Sequence, residues 1–115
     1  PEVIVKMQSS LIARRHDVEE NRDTYYVYDH PEFSQVVKEN VQTLIERLGV
    51  DVSVEGFEIV PIKGKKIVAT IFGRKVDANI GIYKLSGSPE LLTFLYRTGM
   101  GGRRSEGHGM WEIVY

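Results

Sequence analysis

Two amphipathic segments, each opened by a proline and closed by a glycine, constrain this chain more than any other feature. In the first, Pro31 suits the opening helical position and Glu32 favours the positive helix end, with Asp29 or His30 at the cap. Phe33, Val36, Val37, Val41, Leu44, Ile45 and Leu48 recur at helical spacing and make one apolar face. Gly49 is the natural stop, because glycine accepts the left-handed conformation there. Asn40 falls inside the apolar face and reads as a buried amide bonded to nearby backbone. In the second segment Ser88 caps, Pro89 takes the first position, Leu91, Leu92 and Leu95 form the buried side, and Gly99 ends the helix.

Strand-like runs surround the helices. Residues 3–13 read as one long strand, interrupted at Ser9-Ser10, and residues 14–24 as a solvated loop of mixed charge. Tyr25-Tyr26-Val27-Tyr28 is β-prone. Residues 57–62 and 67–72 read as two strands joined by a Lys63-Gly64-Lys65-Lys66 turn, residues 76–85 as a further strand, and residues 110–115 as a closing one. The order is that of a split β-α-β unit, which predicts an α+β, ferredoxin-like (RRM-like) domain with an antiparallel sheet and two helices on one face. Its 115 residues make one domain, 1–115. That fold hosts many unrelated functions, so function must come from particular residues.

Composition closes several routes. Without cysteine there is no disulfide and no thiolate metal site. Asp, Glu and His are not placed at metal-ligand spacing, and no metal or cofactor is expected. Apolar runs are too short for a membrane span and no leader is visible, so the cytoplasm is the expected compartment and no membrane partner is expected. The chain opens on Pro1 rather than Met, which suggests a piece of a longer protein or a processed one. Fifteen basic and sixteen acidic residues exclude a wholly basic protein but allow a local basic site.

Residues 99–109 are the least ordinary stretch. Gly99, Gly101, Gly102, Gly107 and Gly109 crowd into eleven positions together with Arg103, Arg104, Ser105 and His108. Glycine permits close backbone approach and positive φ, successive N–H groups can cradle an anion, and paired arginines suit phosphate oxygens. A dinucleotide fingerprint would need a strand before the glycines and a helix after, the reverse of this order, and a P-loop would need Gly-Lys-Ser or Gly-Lys-Thr. The plain alternative is a helix-to-strand connection.

The run from Thr98-Gly99-Met100-Gly101 through Arg104-Ser105-Glu106-Gly107-His108-Gly109-Met110 resembles the glycine-rich signature that closes members of the RAMP superfamily. In particular it resembles the CRISPR-associated endoribonucleases that cut precursor CRISPR RNA within its repeats. His108 stands where that family most often has phenylalanine. Pro31-Glu32-Phe33, Asn40-Val41, Gly87-Ser88-Pro89-Glu90-Leu91-Leu92 and a first strand ending at Ala13-Arg14 fall in the expected order. The resemblance covers nearly the whole chain, but only the C-terminal half of a two-module member. It implies a defence-system hydrolase that cleaves RNA without metal: a ribose 2′-hydroxyl attacks the adjacent phosphate and leaves a cyclic phosphate end. The family's catalytic histidine usually lies in the missing N-terminal module, so this half alone is expected to be inactive.

The loop residues Gly99, Gly101, Gly102, Arg103, Arg104, Ser105, Gly107, His108 and Gly109 are the expected RNA contacts. Catalysis by His108 is the minor alternative to packing in place of an aromatic. Lys63, Lys65, Lys66, Arg74 and Lys75 form a second basic group, suited equally to RNA phosphates and to protecting a hairpin edge. Tyr25, Tyr26 and Tyr28 suit sheet packing more than base stacking, and His16 and His30 suit exposed or capping roles. The expected partners are CRISPR repeat RNA or the processed guide RNA, the N-terminal module, and possible effector subunits. The rival reading is a non-catalytic RAMP subunit that holds guide RNA, and the weakest a regulatory module for a small anion.

Overall fold

The computed structural model describes residues 1–102 and 107–114. Strands β1 (Glu2–Met7), β4 (Glu58–Ile71), β5 (Arg74–Ser86) and β6 (Trp111–Ile113) form an antiparallel sheet in the order β4-β5-β1-β6. Helices α1 (Phe33–Leu48) and α2 (Pro89–Thr98) complete the ferredoxin-like order, and β2 (Ala13–Asp17) pairs with β3 (Arg22–Tyr26) in a separate hairpin.

Helix α2 forms where its punctuation places it and α1 stops at Gly49 as expected, but α1 begins at Phe33 with Glu32 at the cap position and no side-chain cap, two residues after the expected opening at Pro31. Gly49 closes α1 at φ 65°, and Ser88 Oγ accepts the Leu91 N–H at the start of α2. The expected apolar faces meet the sheet. Phe33, Val36, Val37, Val41, Leu44 and Ile45 of α1 and Leu91, Leu92 and Leu95 of α2 bury against Val5, Met7, Ile59, Tyr83, Leu85 and Trp111. Leu48, expected on the same face, is exposed at the helix end. Asn40 behaves as expected of a partnered amide: its Nδ2 donates to Arg14 O (2.7 Å) and its Oδ1 accepts the Arg14 N–H (3.1 Å).

Two further expectations are corrected. The run Lys63-Gly64-Lys65-Lys66 is not a turn but the middle of one fourteen-residue strand, β4, paired with residues 79–82 of β5. Gly64 reads as a turn residue, yet its missing side chain makes room for Tyr28, whose ring a Cβ there would strike. β4 is a sheet edge, where lysines discourage further pairing and a proline is tolerated; Pro61 sits beside a register shift in the ladder. The true turn is Phe72-Gly73.

Residues 14–24 are not a loop but most of the β2–β3 hairpin. Its strands carry the polar runs Arg14-Arg15-His16-Asp17 and Arg22-Asp23-Thr24, so it lacks the apolar alternation that marks a half-buried strand. The interruption expected at Ser9-Ser10 is present: β1 ends at Met7 and β2 begins at Ala13, with Ser9 and Ser10 spent on other partners (below).

The hairpin is fastened to α1 by Arg15. Its Nη2 and Nε donate to the Glu39 carboxylate (2.8 and 3.0 Å), and its Nη1 to Glu32 (3.1 Å). The hydrogen bonds from Arg15 hold the Glu39 carboxyl below its ordinary value of 4.5 against a smaller opposing effect of burial, and Glu39 in turn raises the guanidinium. A depressed carboxyl stabilises the fold at neutral pH and loses that contribution as pH falls through the folded value. Arg15→Met should therefore cost about 1 kcal/mol at pH 7, the upper end for exposed pairs. The gap from wild type should narrow in denaturant melts once the pH drops well below 4.5.

Candidate nucleic-acid interface

The connection from α2 to β6 packs inward. Met100 is fully buried, and Gly101 and Gly109 are buried beside it. Gly99, Gly101, Gly107 and Gly109 all have positive φ, between 79° and 88°. At Gly109 a Cβ would overlap the backbone oxygen of Met100, and at Gly101 it would lie 2.5 Å from Ile12 O and 2.7 Å from Leu11 Cδ1. Close backbone approach, the property expected of these glycines, is here an approach by the protein's own chain.

The backbone donors confirm that packing. Gly99 N–H donates to Leu95 O (2.8 Å), Met100 N–H to Gly109 O (3.1 Å), Gly102 N–H to Ile12 O (2.7 Å) and Gly109 N–H to Ser10 O (2.8 Å). Those four groups are therefore occupied. Gly102 and Gly107 differ from the rest. Gly102 lies outside the positive-φ set with only ordinary contacts around it, and Gly107 is exposed with open space on its Cβ side. The loop's ends therefore belong to the core, whereas Gly107 is exposed and His108 is half-buried. Arg103, Arg104 and Ser105 lie outside the described residues.

Segment 8–10 explains the break between β1 and β2. Gln8 and Ser9 N–H groups donate to Met110 O, Ser9 Oγ accepts the Met110 N–H (2.9 Å), and Ser10 Oγ lies 2.7 Å from His108 Nδ1. Ser10 thus fixes the imidazole plane of His108, a relationship that 98 residues of separation hide from the sequence.

Leu11 and Ile12 join this loop to the basic hairpin. Leu11 bridges Asn79 of β5 on one side while Ile12 O receives Gly102 on the other. Asn79 is fully buried: Nδ2 donates to Leu11 O (3.2 Å) and Tyr26 O (3.0 Å), and Oδ1 accepts the Tyr28 N–H (2.8 Å). One side chain thereby ties β5 to the segment before β2 and to the end of β3, although nothing in its sequence neighbourhood marks it. Lys63, Lys65, Lys66, Arg74 and Lys75 are all exposed along β4 and β5, and Lys66 pairs with Asp77 (3.3 Å).

The other aromatics and histidines divide clearly. Tyr26 and Tyr28 pack on the core, Tyr26 meeting His30 edge-on at 4.9 Å, and His30 Nδ1 accepts the Glu32 N–H (3.0 Å) at the approach to α1. His16 lies in β2 with its Nδ1 2.7 Å from Asp23 Oδ1. Among the described residues no three acidic or histidine side chains gather as a metal site would require, and no helix is long and apolar enough to cross a membrane.

Comparison with known proteins agrees with this geometry. No curated protein matches the chain. Solved structures do, at identities that establish the fold. A CRISPR-associated protein Cas6 superposes with a TM-score of 0.82 at 19% identity, covering 98% of this chain and 48% of its own. A Cas6-related protein from Pyrococcus furiosus gives 0.81 at 21%, with coverages of 98% and 48%. A RAMP protein described as binding different RNA substrates gives 0.80 at 20%, with 99% and 49%. The chain thus spans about half the length of the structures it matches. The family model for the C-terminal part of CRISPR-associated protein Cas6 matches residues 1–113, and the chain belongs to that family.

Proposed function

We propose that this domain binds CRISPR repeat RNA as the C-terminal module of a precursor CRISPR RNA endoribonuclease. Membership of the Cas6 C-terminal family over residues 1–113 is the observation that carries the reading. The half-length match to solved relatives supports a second, N-terminal module in the whole protein. In this reading the 2′-hydroxyl oxygen attacks the neighbouring phosphorus, its proton passes to a base, and the 5′-oxygen departs with a proton from an acid, leaving a cyclic phosphate. The N-terminal module supplies the catalytic groups and no metal takes part. The domain described here holds the RNA.

Within it, Gly107, His108 and the arginines at 103 and 104 are the proposed contacts, the glycines at 99, 101 and 109 serving to hold the loop in place. Arg103 and Arg104 act on phosphates rather than bases. Charge reversal at both should weaken binding to matched and mismatched repeat RNA alike. It should also flatten the dependence of log K on log salt by roughly 1.4 to 1.8, the slope for two phosphate contacts. Titration of labelled RNA at several salt concentrations measures this. A double variant with an unchanged slope would remove the arginines from the interface, and a wild-type domain that ignores repeat RNA would remove the function.

A further inference from the structure

His108 belongs to the glycine loop but takes its partner from the segment between β1 and β2. Ser10 Oγ lies 2.7 Å from its Nδ1, and Ser10 is only 8% exposed. Backbone pins both residues. Ser10 O accepts the Gly109 N–H (2.8 Å), and Leu11 N–H donates to Asn79 O (2.7 Å). Met110 O accepts the Gln8 and Ser9 N–H groups, and the Met110 N–H donates to Ser9 Oγ. Serine and histidine are thus presented to each other from fixed chain on either side.

Hydrogen-bond satisfaction places the hydrogen between them. Among the described residues the Ser10 hydroxyl has one partner, His108 Nδ1. If Nδ1 carried a hydrogen, it would donate to Oγ and leave the hydroxyl's own hydrogen buried without an acceptor, which is unfavourable. The satisfied arrangement is Oγ–H donating to a bare Nδ1. A neutral imidazole with a bare Nδ1 carries its hydrogen on Nε2, which makes Nε2 a donor. Among the described residues no hydrogen bond engages Nε2. The same holds for the backbone N–H groups of Gly107 and His108, whereas those of Gly102 and Gly109 are taken by Ile12 O and Ser10 O. Gly107 is exposed at φ 88° with open space on its Cβ side, so a ligand can approach these donors.

We propose that Ser10 is a positioning residue: it holds His108 in the Nε2–H form, so that Nε2 donates to a phosphate oxygen of the repeat RNA beside the backbone N–H groups of Gly107 and His108. Successive backbone donors at a glycine of positive φ suit an anion, and phosphate is the anion that RNA presents. The ring donor is uncharged, so it adds a directed bond without adding a third positive charge to the sequence neighbours Arg103 and Arg104. A phenylalanine at 108 would fill space but could not make that bond. The assignment rests on the proposed RNA-binding function and adds to it a donor atom, its tautomer and the residue that sets it.

Ring 15N spectra of the full-length protein at about pH 8.5, above the range in which histidine ordinarily titrates, should show His108 with its hydrogen on Nε2. In Ser10→Ala the Nδ1 resonance should move toward that of an unbonded ring nitrogen. Binding of labelled repeat RNA is measured well below each variant's melting temperature. His108→Phe keeps a ring and should bind about ten-fold more weakly, the loss of one hydrogen bond to a charged group, with an unchanged salt slope. Loss of a cation would instead lower the slope by about 0.7 to 0.9 and would overturn the neutral donor. Ser10→Ala should weaken binding about three-fold in wild type and no further in His108→Phe, because the two residues act through one contact. Among repeat RNAs with a single 2′-deoxy methylphosphonate linkage, one position should bind wild type and His108→Phe alike, while the 2′-deoxy linkage alone preserves their difference. Hydrogen on Nδ1 in wild type, wild-type affinity in His108→Phe, an undiminished Ser10→Ala loss in the His108→Phe background, or no such methylphosphonate position would overturn the assignment while leaving the RNA-binding function standing. Failure of the wild-type protein to bind repeat RNA would overturn both.

Discussion

Gly109→Val is expected to destabilise the domain by about 4 kcal/mol, combining a β-branched residue at positive φ with overpacking of a closed contact. Native stabilities lie at roughly 5–15 kcal/mol, so the variant should sit near the edge of folding. The melting temperature should fall by roughly 15 °C, at about 4 °C per kcal/mol for a domain of this size. The cause is local and steric. Gly109 is buried at φ 86°, and a Cβ there would overlap the oxygen of Met100 and come within 2.9 Å of its nitrogen. Moving Met100 aside would break its hydrogen bond to Gly109 O and disturb a fully buried core side chain. Gly102→Ala supplies the contrast. Its Cβ would meet Arg14 Cβ and Ile12 Cγ2 at 3.6 Å, ordinary contact, so stability should stay within about 0.5 kcal/mol of wild type. Circular-dichroism melts of the two variants measure the difference. Equal melting temperatures would mean that glycine density in this loop has nothing to do with packing.

The contrast also shows what glycine density can convey. From the sequence, five glycines in eleven positions look like one device for gripping an anion. In the fold they separate into Gly99, Gly101 and Gly109, each crowded by the protein itself, and Gly102 and Gly107, which are not. Sequence reveals that a position tolerates absence of a side chain, but not whether protein or ligand occupies the space. Gly64 makes the same point, for its apparent turn chemistry proves to be room for the ring of Tyr28.

What was legible followed local periodicity and capping. Helix α1 announces itself by an apolar face and Gly49, and α2 by Ser88, Pro89 and three leucines. The strand order followed from where those helices fall, and the ferredoxin-like sheet with it. What was not legible was long-range. The β2–β3 hairpin has no apolar alternation because its charged side chains are used in pairs, Arg15 with Glu39 and His16 with Asp23. The Ser10–His108 contact joins residues that no window on the sequence contains together. Phe72 carries no turn signature, since the residue present is the one the turn geometry disfavours.

Asn79 is the strongest case of a residue whose weight comes entirely from distant partners, and Asn79→Leu is expected to cost about 3 kcal/mol. The two side chains are close in size, so the loss is one of hydrogen bonds rather than of volume. Asn79 is 0% exposed, and its amide serves Tyr28 N–H, Tyr26 O and Leu11 O. Leu11 O would keep a partner, because it also accepts the Asn79 backbone N–H (3.0 Å). Tyr28 N–H and Tyr26 O would lose the hydrogen bonds they make with that side chain, at roughly 1–3 kcal/mol for each buried group left unsatisfied. Asn40→Leu makes the natural comparison. It also breaks two hydrogen bonds to backbone, both to Arg14, but Asn40 is only partly buried and water can replace it there, so about 1 kcal/mol should be lost. Denaturant melts should therefore rank wild type above Asn40→Leu and Asn40→Leu above Asn79→Leu. Amide hydrogen exchange locates the damage: the Asn79→Leu variant should lose protection first at Tyr28 and along the β2–β3 hairpin, which sits over both the glycine loop and the tip of β4–β5. If Asn79→Leu were as stable as wild type, the buried amide would not be what fastens that hairpin to the sheet, and the convergence of loop and hairpins would have to rest on the Ile12 cluster alone.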